Sequence, residues 1–162
     1  LVEDGLPIFF IQNRLGLKKT IFRIYKLRTM KKNTPQRGTH EIGKSYQLKA
    51  GKIARSLKID EFPQLINVLK GEINLVGPRP GLKSQIELER ARSAQGVFNI
   101  KPGITGLSQI LGYDMSDPEK LAEIDKIYMD NQSKKTNFLI LLGTFLKFPR
   151  KYLKSKLIFP QK

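Results

Sequence analysis

The chain has 162 residues, of which 40% are hydrophobic, and a formal net charge of +16 at pH 7. This length fits one domain with its own apolar core, and the composition excludes wholesale disorder. The chain has no cysteine, so disulfides, a thiolate nucleophile and cysteine metal sites are excluded, and the single histidine, His40, argues against a histidine-rich metal site. Carboxylates are left as the candidate reactive groups.

Positive charge is concentrated in two parts of the chain. Residues 14–58 contain 14 Lys and Arg against one acid, and residues 147–162 contain six against none. Such fields attract nucleic acid, anionic lipid head groups or polyphosphate ligands, and charge alone does not choose among them. The start, residues 1–4, is typical of the interior of a longer protein, and the apolar run 138–148 is shorter than the roughly 20 residues of a membrane span. We expect a chain that is soluble or lies on a membrane.

A β-hairpin is predicted at the start of the chain. Residues 7–12 and 21–27 are β-branched and aromatic runs, and the glycine-containing link between them suits a hairpin. Alternation places Phe22, Ile24 and Lys26 on one side of the second strand. Taken alone, this pattern predicts a basic hairpin whose charged side chains face the solvent.

A polar loop and a short basic helix are predicted next. Residues 31–46 contain proline and two glycines, which is typical of a mobile loop. Residues 48–57 fit a helix that ends with Arg55 just before Lys58. If these cations only pair with nearby acids at the surface, each pair contributes about 0–1 kcal/mol.

The middle of the chain carries the clearest helical pattern. Four apolar residues recur at i, i+3, i+4 and i+7: Phe62, Leu65, Ile66 and Leu69. Asp60 fits the N-cap, Pro63 fits the first turn and Gly71 fits the end of this amphipathic helix. Residues 76–80, Val-Gly-Pro-Arg-Pro, predict a stiff extended exit. Asp60 and Glu61 are thus expected at the positive end of a helix.

The second half of the chain is predicted to be mainly helical. Residues 82–95 fit a helix, and residues 101–106 form a glycine-rich turn around Thr105. Backbone N–H groups in such a turn can hold a phosphate, although most glycine turns are only turns. Residues 107–111 are expected to form a short strand.

Two further helices are predicted at the C-terminal end. Residues 118–131 follow an Asp117 N-cap, and Asp125 lies beside the apolar face, where it is either solvated or turned inward. Residues 137–148 form an apolar helix. The basic tail, residues 150–156, fits an interfacial helix on an anionic membrane and equally a core helix with a frayed basic end.

The adjacent carboxylates Asp60 and Glu61 are explained either by a structural role at the start of a helix or by a catalytic role. Acids are favoured in the first turn of a helix by capping and by the helix dipole. However, Arg55 and Lys58 precede the pair, and the Pro-Arg-Pro segment returns Arg79 nearby. A helix N-terminus with cations keeps a carboxylate ionised, as a nucleophile or a Mg²⁺ ligand requires.

Four motifs in a fixed order then carry a resemblance. They are Lys-Leu-Arg-Thr-Met at 26–30, Asp-Glu-Phe-Pro-Gln-Leu-Ile-Asn-Val-Leu-Lys-Gly at 60–71, Val-Gly-Pro-Arg-Pro at 76–80 and Lys-Pro-Gly-Ile-Thr-Gly-Leu-Ser-Gln at 101–109. This order resembles the bacterial sugar transferase family, the monotopic polyprenyl-phosphate sugar-1-phosphate transferases that begin capsule, O-antigen, exopolysaccharide and N-glycan assembly.

The resemblance implies a single catalytic domain over residues 1–162, with an α+β fold that is mainly helical with a small β-hairpin and associated with a membrane surface. It implies Asp60 as the nucleophile that attacks a UDP-sugar, releases UMP and carries the phosphosugar until a polyprenyl phosphate accepts it. Glu61 would hold Mg²⁺ together with Asp60 or assist proton handling. Substrate-binding residues by the same resemblance are Lys26, Arg28, Arg55, Arg79 and Thr105.

The expected location is the cytoplasmic face of the bacterial inner membrane, with anionic lipid and no nucleic acid as partners. The chain departs from the family in two places: no hydrophobic re-entrant helix precedes Asp4, and Asn137 stands where an acid is expected. The alternatives are a catalytically inert basic module that binds membrane or nucleic acid, and a glycosyl- or nucleotidyltransferase with the same basic surface. The sequence does not predict which UDP-sugar is used or the oligomeric state.

Overall fold

The computed structural model describes residues 4–35 and 46–158, and it confirms the predicted α+β class. Four short strands are present in this part of the chain: β1 (Phe9–Leu15), β2 (Ile21–Leu27), β3 (Asn74–Val76) and β4 (Gly103–Thr105). The α-helices are α1 (Lys49–Ser56), α2 (Leu65–Leu69), α3 (Ile86–Ala94), α4 (Leu107–Leu111), α5 (Pro118–Asp130), α6 (Lys134–Phe145) and α7 (Lys147–Leu153). Short 3₁₀ segments span Leu17–Lys19, Ile59–Gln64 and Val97–Asn99, and a π-helical turn spans Lys154–Ile158.

The predicted hairpin is confirmed, and its register decides which side chains share a face. Strands β1 and β2 pair antiparallel, with Phe10 opposite Lys26 and Arg14 opposite Phe22. Phe22 and Ile24 are buried and pack with Ile73 in a small core. The alternation predicted for the second strand is therefore correct, and Arg14 lies on the same face of the hairpin as Lys26.

The glycine-rich segment after residue 100 forms part of a small parallel sheet. Strand β4 pairs with β3, and a Cβ built on Gly103 would lie 2.1 Å from the Gly77 backbone nitrogen. A Cβ on Gly106 would lie 2.2 Å from the Gly77 carbonyl oxygen. These glycines are needed because two backbones approach closely here.

The strand predicted for residues 107–111 is wrong, because these residues form helix α4 directly after Gly106. A segment of only five residues does not distinguish a strand from a buried helical turn. Leu107 and Ile110 belong to the main core, together with residues of β3, α5, α6 and α7: Val76, Ile124, Tyr128, Ile140 and Leu153.

Helix α5 begins as predicted, because the Asp117 side chain accepts a hydrogen bond from the Lys120 backbone N–H at 2.9 Å. Its inward face carries Asp125, so the inward alternative holds for this residue. Asn137, at the start of α6, accepts a hydrogen bond from the Tyr128 hydroxyl at 2.9 Å. This contact joins α5 to α6 at the place where an acid was expected.

The amphipathic pattern at 62–69 is real, but its apolar face is exposed to the surface. Phe62 is 62% exposed and Leu69 is 88% exposed, whereas the opposite face buries Gln64 and Asn67. The predicted N-cap is also wrong: Lys58 in a left-handed conformation, φ 59°, precedes the 3₁₀ segment, and Asp60 lies inside it. The segment therefore turns its polar side chains towards the protein interior.

The basic tail is partly anchored to the core. Pro149 and Leu153 of α7 are buried, and the Arg150 guanidinium donates to the carbonyls of Gly143 and Thr144. Phe138, Phe145 and Phe148 are exposed on the outer side of α6 and α7. In the two described ranges, no helix is both long enough and apolar enough to span a membrane. Most of the predicted loop 31–46, including His40, lies outside the described residues.

Candidate active site

The two adjacent carboxylates lie on the wall of a large cavity. Asp60 is 7% exposed and Glu61 is 8% exposed, and both line a cavity of about 880 Å³. Lys26 of β2, Arg55 of α1 and Arg79 of the Pro-Arg-Pro segment line the same cavity. The structure therefore brings together side chains from four separate segments of the chain.

Glu61 is held between two cations. Its Oε1 accepts a hydrogen bond from Lys26 Nζ at 3.2 Å and another from Arg79 Nη1 at 3.0 Å. Burial alone would raise the pKa of Glu61, but the positive charges of Arg79 and Lys26 outweigh it and hold this pKa at about 2. Glu61 is therefore a carboxylate at neutral pH, which suits the binding of cations better than the donation of a proton.

Asp60 has a different environment from its neighbour. Burial raises its pKa, the negative charge of Glu61 raises it further, and Lys26 and Arg55 only partly offset these effects. The sequence analysis expected a helix end and cations to favour the ionised form of a carboxylate; this holds for Glu61, whereas the pKa of Asp60 is shifted upwards. The pair thus consists of one strongly stabilised carboxylate and one whose negative charge is poorly compensated.

Lys26 is buried at the centre of the site. Burial lowers its pKa to about 7, and the nearby positive charges of Arg79 and Arg14 lower it as well, against the effect of Glu61. Lys26 is thus a buried amine with two guanidinium groups and one carboxylate as its charged neighbours. An anionic ligand would relieve the repulsion between these positive groups.

Arg55 and Lys58 approach the pair from the side of α1. Arg55 Nε donates to Thr29 Oγ1 at 2.7 Å, which fixes the guanidinium at the cavity wall. Burial lowers the pKa of Arg55, and the strongest opposing influence is the charge of Asp60. Lys58 was noted from the sequence as a flanking cation, and it also lines the cavity.

Arg14 is a site residue that the sequence-based prediction missed. Its Nη1 donates to the Pro80 carbonyl at 3.1 Å, and its Nη2 donates to Gln12 Oε1 at 2.7 Å. Its buried Nε has no hydrogen-bond partner. Burial, followed by the charge of Arg79, lowers its pKa to about 10. The signal available in the sequence was the hairpin register, which places position 14 on the face of Lys26.

Two predicted substrate-binding residues have other contacts. The Arg28 guanidinium lines the cavity, but it donates to the Asp4 carboxylate at 2.5 Å and to the carbonyls of Gly5 and Pro7. Thr105 does not line the cavity, and its Oγ1 lies 3.0 Å from Thr144 Oγ1 of α6. Arg28 thus lies at the cavity, but its guanidinium is already hydrogen-bonded to the start of the chain. Thr105 lies away from the cavity.

A buried ion pair supports the segment that carries Arg79. Arg92 of α3 donates to Asp125 Oδ2 through Nε at 2.9 Å and Nη2 at 2.6 Å, and Ser108 Oγ donates to Asp125 Oδ1 at 2.8 Å. The remaining terminal nitrogen of Arg92 donates to the Arg79 backbone carbonyl at 2.8 Å. This network fixes the backbone from which the Arg79 side chain reaches Glu61.

Asp60 and Glu61 offer two carboxylates to a Mg²⁺ ion, whose other ligands would be phosphates or waters. Among the described residues there is no group of three or more acidic or histidine side chains that could hold a metal ion. Mg²⁺ is commonly held by one or two carboxylates, with substrate phosphates and waters as its remaining ligands. Asp60 and Glu61 fit that pattern, because the poorly compensated charge of Asp60 would be neutralised by a cation beside it.

The model of the family described as bacterial sugar transferase matches residues 1–151. The uncharacterized sugar transferase EpsL of Bacillus subtilis (strain 168) is 42% identical over 90% of this chain and 72% of its own length. An N-acetylgalactosaminephosphotransferase of Aeromonas hydrophila, named for UDP-N-acetylgalactosamine and undecaprenyl phosphate, is 37% identical over 88% of this chain and 36% of its own length. The undecaprenyl-phosphate galactose phosphotransferase of Salmonella typhimurium is 30% identical over 89% of this chain and 34% of its own length.

The chain belongs to the bacterial sugar transferase family. It spans about a third of the length of the Aeromonas and Salmonella relatives.

Proposed function

We propose that the protein transfers a sugar-1-phosphate from a UDP-sugar to polyprenyl phosphate, such as undecaprenyl phosphate, and so begins the assembly of a capsule, O-antigen or exopolysaccharide. The observation that carries the proposal is the pair Asp60 and Glu61, which faces a surplus of cations inside one cavity. The names of the Aeromonas and Salmonella relatives give a phosphosugar transfer to undecaprenyl phosphate, which agrees with that chemistry.

In the first step, an Asp60 carboxylate oxygen attacks the phosphorus atom that bears the sugar. A bond forms between this oxygen and phosphorus, the bond from phosphorus to the bridging oxygen breaks, and UMP leaves with the bonding electrons. The negative charge of Asp60 is poorly compensated in the free site, which makes this carboxylate the more reactive of the two. Lys26 and Arg79, which both donate to Glu61, would stabilise the charge that develops on the phosphoryl oxygens.

In the second step, a phosphate oxygen of the polyprenyl phosphate attacks the same phosphorus atom. The bond between Asp60 and phosphorus breaks, the carboxylate is regenerated and the lipid carries a diphosphate-linked sugar. No proton has to be moved for either displacement, which fits the low pKa of Glu61. Two successive displacements at one residue predict ping-pong kinetics.

Asp60 and Glu61 are the residues that would hold Mg²⁺, and the ion would neutralise charge on the donor diphosphate when bound. The cations of the cavity would serve the same purpose. The metal is thus expected to add to a cavity that is already suited to phosphate.

The lipid substrate suggests a position at the membrane surface, at its cytoplasmic face. The exposed apolar residues Phe62, Leu65, Ile66 and Leu69 follow the catalytic pair directly in the chain. We define these four residues as the apolar face. A surface of this kind beside basic residues is typical of a protein that rests on anionic lipid. If the apolar face enters the lipid, the acceptor phosphate reaches Asp60 without leaving the interface.

The activity is tested by UMP release from a panel of UDP-sugars, with undecaprenyl phosphate, Mg²⁺ and detergent. UMP is expected from the wild type with one sugar, and Asp60→Asn should lower the rate by at least about 10⁴-fold, as removal of a nucleophile does. Asp130→Asn, which alters an exposed acid on α5, is the matched control and should keep the activity. The inert basic module predicts no UMP from the folded full-length wild type with any sugar.

The membrane position is tested separately by flotation with vesicles that contain anionic lipid. Leu69→Gln should weaken binding by about tenfold, because a buried leucine contributes roughly 1.5–3 kcal/mol. Ile86→Gln removes a similar exposed apolar side chain from α3 and should leave binding unchanged. Equal effects of the two substitutions would rule out the apolar face as the membrane contact.

A further inference from the structure

Arg55 of α1 reaches the cavity with only one of its three guanidinium nitrogens engaged. Its Nε donates to Thr29 Oγ1 at 2.7 Å. Its two terminal nitrogens make no hydrogen bond or ion pair with any described residue, and both are at least partly accessible to solvent. A guanidinium held at Nε keeps the edge formed by Nη1 and Nη2 free, and this edge can donate two parallel hydrogen bonds to one phosphate group. The contact at Nε therefore decides which way the free edge of Arg55 faces.

Thr29, the partner of Arg55, is buried, and its backbone is fixed by other contacts. It is 4% exposed, it follows the end of β2 by two residues, and like Arg55 it lines the cavity. Its carbonyl accepts the Leu48 backbone N–H at 3.0 Å, and the next residue, Met30, forms an antiparallel bridge with Gln47. The backbone of Thr29 is thus attached to the segment that leads into α1 without help from its side chain.

Helix α1 packs against Thr29 so closely that one of its positions requires glycine. A Cβ built on Gly51 would lie 2.3 Å from the Thr29 carbonyl oxygen and 2.8 Å from its Cα. Glycine weakens the interior of a helix, and its presence here is explained by this close approach. Arg55 follows Gly51 by four positions, which is about one helical turn along the same face, so its side chain points back to Thr29.

The hydroxyl of Thr29 is not needed to dock α1, because the backbone contacts and Gly51 already do so. Its hydrogen bond instead restricts one cation at the cavity wall. An arginine side chain loses rotamer freedom when it binds an anion, and a contact that restricts it beforehand reduces this loss. Threonine suits that purpose, because its branched Cβ limits the rotation of the hydroxyl-bearing bond.

We propose that Thr29 is a positioning residue, which holds Arg55 so that its two terminal nitrogens face a phosphate group of the bound substrate. This inference rests on the proposed function, and it gives Thr29 no contact with the reacting atoms. Thr29 acts only through Arg55, so its contribution should disappear when Arg55 is absent.

The first test compares Thr29→Val with Thr29→Ser in the full-length protein. Valine has nearly the shape of threonine but cannot accept the hydrogen bond of Arg55, whereas serine keeps the hydroxyl. With the UDP-sugar that releases UMP, Thr29→Val should lower kcat/KM by about 10- to 100-fold, the usual effect of losing a hydrogen bond to a charged group. Thr29→Ser should retain most of the activity.

A double-mutant cycle separates positioning from a merely structural role. Arg55→Gln should lower kcat/KM at least as much as Thr29→Val does. Adding Thr29→Val to Arg55→Gln should cause no further loss, because the hydroxyl then has no guanidinium to position. The affinity for pyrophosphate, measured by calorimetric titration of the same four proteins, should follow the same pattern.

Thr144→Val on α6 is the matched control. It removes a partly buried threonine hydroxyl that donates to the Ile140 carbonyl at 3.1 Å, and Thr144 does not line the cavity. Turnover and pyrophosphate affinity should both be retained. Urea denaturation checks that each variant is folded. If Thr29→Val is not folded, Thr29→Ala removes the same hydroxyl and takes its place in the cycle.

The inference is overturned if Thr29→Val causes equal losses with and without Arg55, which is the result expected of a structural role. It is also overturned if Thr29→Val changes neither turnover nor pyrophosphate affinity. A folded wild type that releases no UMP from any UDP-sugar overturns the proposed function instead, and the cycle measured with pyrophosphate still decides the role of Thr29. The two failures are therefore distinguishable.

Discussion

The Arg92–Asp125 pair and the cluster around Asp60 and Glu61 are both buried, but only in the first do the positive and negative charges balance. Arg92 and Asp125 form a one-to-one ion pair in which every carboxylate oxygen has a donor. Around Asp60 and Glu61, cations outnumber acids, and Arg14 keeps a buried Nε without any partner. The charges of the first cluster balance without a ligand, whereas those of the second would balance only when an anion binds.

This difference helps to tell a structural ion pair from a binding site. A buried charge is costly unless it is paired, so a fold that retains unpaired cations must gain something else from them. Here the surplus cations come from four segments that meet at one cavity, and the neutral pair fixes the backbone of one of these segments. The neutral cluster is expected to matter for stability, and the cationic cluster for binding and catalysis.

The largest expected effect on stability comes from breaking the neutral pair. Asp125→Asn leaves Arg92 buried without a countercharge, and the free energy of unfolding should fall by about 3–5 kcal/mol. Urea denaturation of the variant and the wild type measures this. Asp130→Asn, on the exposed face of the same helix, is the control and should change stability by less than about 0.5 kcal/mol. A small effect of Asp125→Asn would remove the distinction between the two clusters.

Arg79→Gln should have little effect on stability and a large effect on turnover. Its loss removes one partner of Glu61 but also reduces the repulsion on Arg14 and Lys26, so the free energy of unfolding should change by less than about 1 kcal/mol. Turnover should fall by about 10²- to 10³-fold, as when one group that stabilises the transition state is removed. Arg90→Gln, an exposed arginine on α3, serves as the comparison. Strong destabilisation by Arg79→Gln would place Arg79 with the structural residues.

A smaller effect should appear when an anion fills the cationic cluster. Pyrophosphate at 100 times its Kd should stabilise the wild type by about 2.7 kcal/mol, which corresponds to a rise in Tm of roughly 5–10 °C. The rise should be much smaller for the double variant Arg14→Gln, Arg79→Gln. Sulfate at the same ionic strength controls for general salt effects. Equal stabilisation of wild type and double variant would mean that the anion binds elsewhere.

The elements that follow local rules were predictable from the sequence. The hairpin, α1 and α5 agree with the prediction because strand alternation, basic helix pattern and the Asp117 cap are properties of neighbouring residues. The parallel pairing of β3 with β4 was not predictable, because it joins residues about 29 apart and depends on glycines that allow close backbone approach. Helix α4 was mistaken for a strand because a segment of five residues, three of them apolar, is too short to show a decisive period.

The site was only partly predictable for a similar reason. The resemblance implied seven site residues, of which six line the cavity and Thr105 does not: Lys26, Arg28, Arg55, Asp60, Glu61 and Arg79. Arg14 was missed because its role depends on the hairpin register and on the distant Pro80 carbonyl. The direction of the apolar face was not evident either, since the usual rule places such a face in the core, whereas here Asp60 and Glu61 are buried and the apolar face is exposed.

The most direct test of the account is a search for the phosphosugar on Asp60. The full-length protein is incubated without lipid, with the UDP-sugar that releases UMP, and its peptides are analysed by mass spectrometry. The account predicts one added phosphosugar on the peptide that contains Asp60, absent from Asp60→Asn and lost when polyprenyl phosphate is added. UMP release that requires lipid, with no adduct on any peptide, would contradict it and indicate direct transfer between the two substrates.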